Sequence, residues 1–458
     1  LYLEMFSQNT SSSLDKSTDI SLPIRFALIG FSVLLIWLAY PGKEGEGISF
    51  LVWVCLVPWI LALKDANPRI GLLFGLLYGF FYFFGIIPGI LFGAENLGGT
   101  SSQISWLVFI GVCAIHSIPY GCFGYLQSIF SWLKKPWAPV RCATYLTLLL
   151  ILFPQPLPGN HAHALYNSPK MIQVLDLGGL PLLLFIVILA NGYFLDVITS
   201  LLRKQKPVLP IAAFIFLLVG TAAYGQLRLN EFHSKKAEAR DDQIVRVVSI
   251  QPNIPLPPEI KNVELDLQPL LRLSELATEI FPNGEIFILP EIARNIFCAN
   301  DFYESNLEPV AIKSGKPFFI NCRKVLNLNP EYYFNTVKYL SPFPINDAKR
   351  FDWEYHKIKL FPFGEYLPFS KEFPFLNRIV KGFGYNYTPG NYFSVLELGE
   401  SKIIATPLCY EAIFSSLIRE FIHQGANIII NMANDAWWAK TDLSIVHLAL
   451  VSFRSVEY

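Results

Sequence analysis

The order of apolar and polar positions divides the chain in two near residue 227. Long apolar runs follow one another near 22–40, 47–63, 70–93, 105–133, 140–156, 178–201 and 208–226, each about long enough to cross a ~30 Å hydrocarbon core. These runs predict a multi-span α-helical membrane domain over residues 21–227, with about seven spans. Pro119 lies inside the fourth run and predicts a tilt or kink there, while the fifth run is short and has Pro-rich flanks. A soluble helical core with so many long apolar runs would leave far too much apolar surface in water. Residues 1–20, rich in Ser, Asn, Thr and Asp, show neither apolar periodicity nor a signal-peptide charge pattern and predict a disordered tail.

After Gln226 the pattern changes. Residues 228–243 are strongly charged and read as a linker. From 244 to 458, β-branched runs alternate with amphipathic helix patterns, the signature of a layered α/β domain. Strands are predicted at 244–250, 285–289, 317–322, 332–340, 392–397, 402–408 and 427–431, and helices at 262–281, 307–314, 412–424 and 443–457.

Composition sharpens the membrane reading. Apolar residues make up 53% of the chain and charged residues only 16%, beyond what a soluble domain needs. Lys+Arg and Asp+Glu balance at 36 each, so no global field points to nucleic acid as a partner. Their placement is informative: Lys64 and Arg69, then Lys134, Lys135 and Arg141, then Arg203, Lys204 and Lys206 fall in alternate connections. By the positive-inside rule the N-terminus is cytoplasmic and residues 244–458 lie on the outer face. The seven cysteines show no CxxC pair and no zinc spacing, so no metal site is expected. Cys298 and Cys322 read as two packed free thiols, with pairing open to them if their domain lies outside the cytoplasm. His116, inside the fourth run, reads as a hydrogen-bonded packing residue, and His161 and His163 as part of a solvated loop.

Candidate chemistry gathers in three stretches of the second half. In Thr406-Pro407-Leu408-Cys409-Tyr410-Glu411 a cysteine sits where a strand turns into a predicted helix, and free N–H groups at such a turn favour a thiolate. Ile286-Phe287-Ile288-Leu289-Pro290-Glu291 is an apolar strand that ends on a carboxylate, and Tyr355-His356-Lys357-Ile358-Lys359-Leu360-Phe361-Pro362-Phe363-Gly364-Glu365 sets a lysine before an aromatic loop. Acyl transfer needs a thiol nucleophile, a proton acceptor beside it, and donors where an acyl oxygen becomes negative. Taken singly, each residue reads as a packed thiol, a surface carboxylate or a solvated amine. Together, in this order, they resemble the nitrilase superfamily of carbon–nitrogen hydrolases over about residues 245–458.

The resemblance implies a four-layer αββα sandwich. It implies Glu291 as general base, Lys357 as oxyanion partner and Cys409 as nucleophile. Lys357 is preferred to Lys359 because its leucine stands at +3 and its proline at +5, whereas facing cannot separate residues two apart on an extended segment. Glu365 and Glu411 resemble two further acidic positions that orient the lysine or assist proton transfer, and the Tyr410 backbone N–H is a candidate oxyanion donor. Asn434-Asp435-Ala436-Trp437-Trp438 resembles a pocket-bordering segment, which makes Asn434 and Trp437 candidate substrate-binding residues. Gln251-Pro252-Asn253-Ile254-Pro255 matches the family's opening, but the tryptophan that often follows there is missing. The stretch after Glu291, and Leu157 to Ser168, also depart from the pattern. The chain stops at Tyr458, inside a helix that in the family precedes further strands and a last span, so a C-terminally incomplete domain is expected.

A nitrilase-like domain fused to a multi-span membrane domain resembles the branch that N-acylates bacterial lipoproteins. That implies transfer of an acyl chain from a phospholipid, through a Cys409 thioester, to the α-amine of a diacylglyceryl-cysteine, with no cofactor. It implies a multi-pass protein of the bacterial plasma (inner) membrane, acting as a monomer among membrane lipids. Phe361 to Phe375 and the loop Phe373 to Phe383 are candidates for a membrane-dipping lid. A membrane-anchored amidase acting on a small soluble amide is the alternative, and a non-catalytic scaffold a more distant one.

Overall fold

The computed structural model describes residues 20–42, 47–96, 101–157, 159–238, 244–253, 263–291, 298, 303–328, 331–368, 370, 372–373, 387–399, 401–438 and 441–458. The expected tail, apart from Ile20, and most of the expected lid therefore lie outside the described residues.

The first half is a helical bundle. Helix α1 (Leu22–Ala39) leads through a 3-10 turn at Ser49–Trp53 into α2 (Val57–Leu63) and α3 (Pro68–Ile86), followed by α4 (Gly89–Asn96), α5 (Ser102–Phe130) and α6 (Ala138–Leu152). A short α7 (Pro169–Ile172) precedes α8 (Leu175–Leu202) and α9 (Val208–Glu238). Among the described residues, five helices are long and apolar enough to cross a membrane: α1, α3, α5, α8 and α9. The expected second and fifth spans are shorter apolar stretches, Ser49–Leu63 and Ala138–Leu152. The third expected run breaks at Ile87, just before Pro88, because proline cannot supply the next helical N–H.

Helices α3 and α5 pack most closely. A side chain on Gly75 would come within 2.1 Å of the Tyr120 carbonyl oxygen, and Gly71 and Gly79 repeat the small residue every fourth position, the spacing that lets helices in lipid approach backbone to backbone. Helix α8 is kinked where Gly178 and Gly179 leave helical geometry, Gly179 at φ +62°. The charged stretch expected as a linker over 228–243 instead continues α9 as far as Glu238. Arg228 pairs with Glu231, and Lys235 with Glu231 at 2.7 Å, so charges three and four apart support the helix.

The second half is built on two sheets. The first holds β1 (Val247–Ser249), β2 (Ile286–Ile288), β3 (Phe318–Leu328), β4 (Glu331–Leu340) and β5 (Glu354–His356) in that order, with β1, β2 and β3 parallel and β3, β4 and β5 antiparallel. The second sheet joins β6 (Leu396–Leu398), β7 (Lys402–Ala405) and β8 (Ile428–Ile429). Strand alternation sorts the core into two layers. Phe287, Phe318 and Ile320 meet Leu270 and Ala277 of α10 (Val263–Ile280) and Val310 of α11 (Glu308–Ser314). Ile286, Phe319 and Tyr355 face the other way, onto Leu396 and Ile404 of the second sheet, and Leu417, Ile418 and Phe421 of α12 (Ser415–His423) complete this second core. The layers are therefore helix, sheet, sheet, helix, the expected nitrilase-like αββα sandwich.

The chain then returns to the bundle through α13 (Leu443–Ser452) and α14 (Arg454–Glu457). Tyr410, Trp438, Val446, Leu450 and Phe453 belong to the same apolar core as the helices of the first half. Polar contacts fix the seam: the Tyr410 hydroxyl donates to the Pro156 carbonyl, and the Leu180 N–H to Glu457 at 3.0 Å. Histidines 161 and 163, expected in a solvated loop, are fully buried in this region. His161 accepts or donates at Tyr78 across 2.7 Å, and His163 stacks on Phe453. His116 is a buried packing residue, as expected, bonded to the Val112 and Leu157 carbonyls.

Candidate active site

Cys409 stands on a tight elbow past the end of β7. Its N–H donates to the Met432 carbonyl at 2.8 Å, and Asn431 donates from its side chain to the carbonyls of Pro407 and Cys409 on either side. These bonds hold Cys409 at φ +48°, a conformation few non-glycine residues adopt without such over-determination. A 3-10 turn, Cys409–Ile413, follows in place of the expected helix start. The thiol also departs from expectation. Burial, and then the Glu291 carboxylate beside it, push its pKa well above the ordinary value, although Lys357 pulls the other way. The resting group is therefore a thiol that needs a base, and its own N–H is already spent on Met432.

Glu291 follows β2, and Lys357 follows β5, where its N–H extends the ladder by bonding the Asn335 carbonyl at 2.8 Å. The Lys357 ammonium is buried, 2.9 Å from Glu365 Oε1 and 3.5 Å from Glu291 Oε1. Burial alone would lower its pKa, but Glu365 and Glu291 together hold it well above the ordinary value, so it is a fixed cation. Lys359 points elsewhere and caps the Phe414 ring, 3.3 Å from its centroid. Strand geometry ends at His356, so the shared facing of an extended segment does not extend to Lys359.

The two supporting carboxylates have distinct tasks. Glu365 accepts from Lys357, from Asn335 at 2.7 Å and from the Phe361 N–H at 2.7 Å. Glu411 accepts from the Tyr355 hydroxyl and from the N–H groups of Ile358, Lys359 and Leu408, stitching the Lys357 strand end to the Cys409 elbow. Burial raises Glu411 to about 7 in spite of these donors.

Glu291, Lys357, Glu365 and Cys409 line one open cleft of about 1170 Å³, including the space at its mouth. Its opposite wall belongs to the bundle: Phe83 and Ile86 of α3, Ile87, and Ile90 of α4. Asn434 closes its own turn by accepting from the Ala436 N–H, and among the described residues Trp438 and His447 line the cleft nearby instead. The Trp437 side chain lies outside the described residues.

Sequence reasoning missed Asn321, Asn335 and His447. His447 donates to or accepts from Asp435 at 2.9 Å; against burial, which alone would lower its pKa, that carboxylate raises it. Its signal was a lone ionisable residue in the apolar helix α13, and that of Asn335 a poor strand former inside an aromatic strand. Cys298 and Cys322, expected as free thiols, form a disulfide. The Cys298 N–H reaches the Arg323 carbonyl at 2.8 Å, which sets Cys298 alongside β3 and its Cys322.

Residues 32–193 match the apolipoprotein N-acyltransferase N-terminal domain, and residues 246–458 match the carbon–nitrogen hydrolase domain. The apolipoprotein N-acyltransferase of Geobacter metallireducens is 27% identical over 447 residues, covering 93% of this chain and 80% of the relative. That of Thermotoga maritima is 28% identical over 457 residues, covering 96% of this chain and 78% of the relative. Among solved structures, an amidase from Nesterenkonia sp. aligns with 41% of the chain and 64% of its own, at 18% identity and a TM-score of 0.30. With both domains present in this order, and relatives of one kind matching nearly its whole length, the chain belongs to the apolipoprotein N-acyltransferase family of the carbon–nitrogen hydrolase superfamily.

Proposed function

We propose that the protein N-acylates lipoproteins by a two-step transfer through Cys409. The observation that carries this reading is one cleft with an acid–lysine–thiol cluster on one wall and the apolar ends of α3 and α4 on the other. Lipid substrates suit such a cleft, and a small soluble amide has no use for the apolar wall.

In the first step Glu291 takes the thiol proton as Cys409 Sγ attacks the ester carbonyl of a phospholipid. The new oxyanion is met by the Lys357 ammonium and the Tyr410 backbone N–H. Collapse breaks the ester C–O bond; Glu291 returns the proton to the departing lysophospholipid, and an acyl thioester remains. In the second step the α-amine of a diacylglyceryl-cysteine attacks the thioester carbonyl, loses its proton to Glu291, and expels the Cys409 sulfur, which regains that proton. Glu365 and Glu411 hold the lysine and the elbow in place.

The protein acts as a monomer in the bacterial inner membrane, with its hydrolase half on the extracytoplasmic face. The spacing of Lys and Arg between the apolar runs supports that side. The Cys298–Cys322 disulfide supports it independently, since such bonds persist in oxidising compartments.

Mass spectrometry of the full chain in lipid nanodiscs tests the mechanism. Added phospholipid should leave one acyl chain on Cys409, and a diacylglyceryl lipopeptide amine should then remove it. Cys409→Ser should carry no adduct and should fold normally, because the exchange is nearly isosteric and the alkoxide is less accessible than the thiolate. An adduct elsewhere, or turnover of small amides with no lipid adduct, would favour the amidase.

A further inference from the structure

Between the two carboxylates that face Lys357 lies an amide. Asn335 Nδ2 stands 3.0 Å from Glu291 Oε1 and 2.7 Å from Glu365 Oε1, so its two N–H bonds reach one carboxylate each. Its Oδ1 accepts from Asn321 Nδ2 at 2.7 Å, and Asn321 also donates to the Thr336 carbonyl at 3.0 Å. Both asparagines are more than nine-tenths buried. This chain of bonds decides which way the amide points. Turned over, Asn335 would set its oxygen against two carboxylates and its NH₂ against the NH₂ of Asn321.

We propose that Asn335, oriented by Asn321, is a positioning residue for the acyl-transfer base. Two carboxylates around a single ammonium repel each other, and a neutral donor shared between them eases that repulsion. Asn335 stabilises both anions without adding charge. It also makes the two oxygens of Glu291 unequal. The amide and the Lys357 ammonium, 3.5 Å away, both converge on Oε1. Proton exchange with the Cys409 thiol is therefore left to Oε2, and the same oxygen returns the proton to the leaving group. The proposal rests on the reading of Glu291 as the general base.

The test is the single-turnover rate of acyl adduct formation on Cys409 across pH, with the full chain in nanodiscs and a phospholipid of one defined acyl composition. Asn335→Leu removes a hydrogen bond to the ionised form of Glu291, so the carboxylate becomes a weaker acid. The acid limb should move up by about one pH unit, with roughly tenfold slower acylation below it and recovery above. Asn335→Asp keeps the shape and the bond from Asn321 but adds a third anion, and should move the limb further in the same direction. Asn321→Ala frees the amide to turn and should give a smaller shift of the same sign. Loss at every pH in equal proportion, tracking a lowered melting temperature in all three variants, would overturn the proposal as a packing effect. Glu291→Gln separates the two ideas. If it abolishes the adduct while the Asn335 variants leave the limb unmoved, only the positioning role fails; if it retains pH-dependent acylation, the base assignment itself falls.

Discussion

Two buried polar clusters flank the same cleft, and they are solved in opposite ways. In the bundle, Tyr40, Tyr78, Tyr82 and His161 interlock through hydroxyls and rings: Tyr78 meets His161 at 2.7 Å, Tyr82 donates to Tyr40 at 3.0 Å, and Tyr40 donates to the Asn160 carbonyl at 2.6 Å. In the sandwich, Glu291, Glu365 and Glu411 crowd around Lys357 and a set of N–H donors. Among membrane helices an isolated charge is costly, and this cluster is made of uncharged hydroxyls and an imidazole that satisfy one another. The sandwich holds three carboxylates only because each has several donors. The first cluster fastens the bundle, and the second stores the charge that acyl transfer needs.

If that contrast is right, removing the cation should hurt most. Lys357→Met leaves Glu291 and Glu365 facing each other in the interior; it should cost roughly 3–5 kcal/mol of stability and leave no detectable Cys409 adduct. Thermal denaturation in detergent alongside mass spectrometry would show it, and a stable, active variant would erase the distinction between the clusters. Next comes the covalent tether near Glu291. Cys298→Ser should cost about 3 kcal/mol, as expected for a bond closing a loop of this size. Reducing agent should bring the unmodified protein to the same melting temperature, while acylation well below that temperature persists. The smallest effect is expected in the bundle. Tyr78→Phe strips His161 Nε2 of its partner and should cost about 1–2 kcal/mol, with the rate of adduct formation unchanged. A strong loss of rate there would mean that the neutral cluster also serves the chemistry.

Much of this molecule was legible from its residues, and the limits are instructive. Local motifs placed Glu291, Lys357 and Cys409 because strand-end chemistry is written in neighbours along the chain. The charge state of Cys409 was not legible: it depends first on burial and then on Glu291, 118 positions away by numbering and brought near only by the fold. Pairing of Cys298 with Cys322 likewise follows from Cys298 lying beside β3, where its N–H meets the Arg323 carbonyl. Asn335 was hidden because an asparagine acquires meaning only from the two carboxylates that flank it. Apolar run length marked the bundle, yet the helices at 47–63 and 140–156 are shorter than their runs, since hydropathy does not report where a helix begins. His161 and His163 were misjudged because a polar loop was assumed to face water, whereas this one is roofed by Phe453 and its neighbours.

The kink in α8 carries a mechanical consequence. Because Gly178 and Gly179 leave helical geometry, the N–H of Leu180 is released to bond Glu457, and Glu457 in turn grips Arg454 at 2.9 Å. Arg454 donates onward to the Ile413 carbonyl at 3.0 Å, at the end of the turn that begins with Cys409. Three short links thus form a load path from a long apolar helix to the turn that begins with Cys409. Tilting α8, as helices do to match bilayers of different thickness, pulls on the turn that carries the thiol.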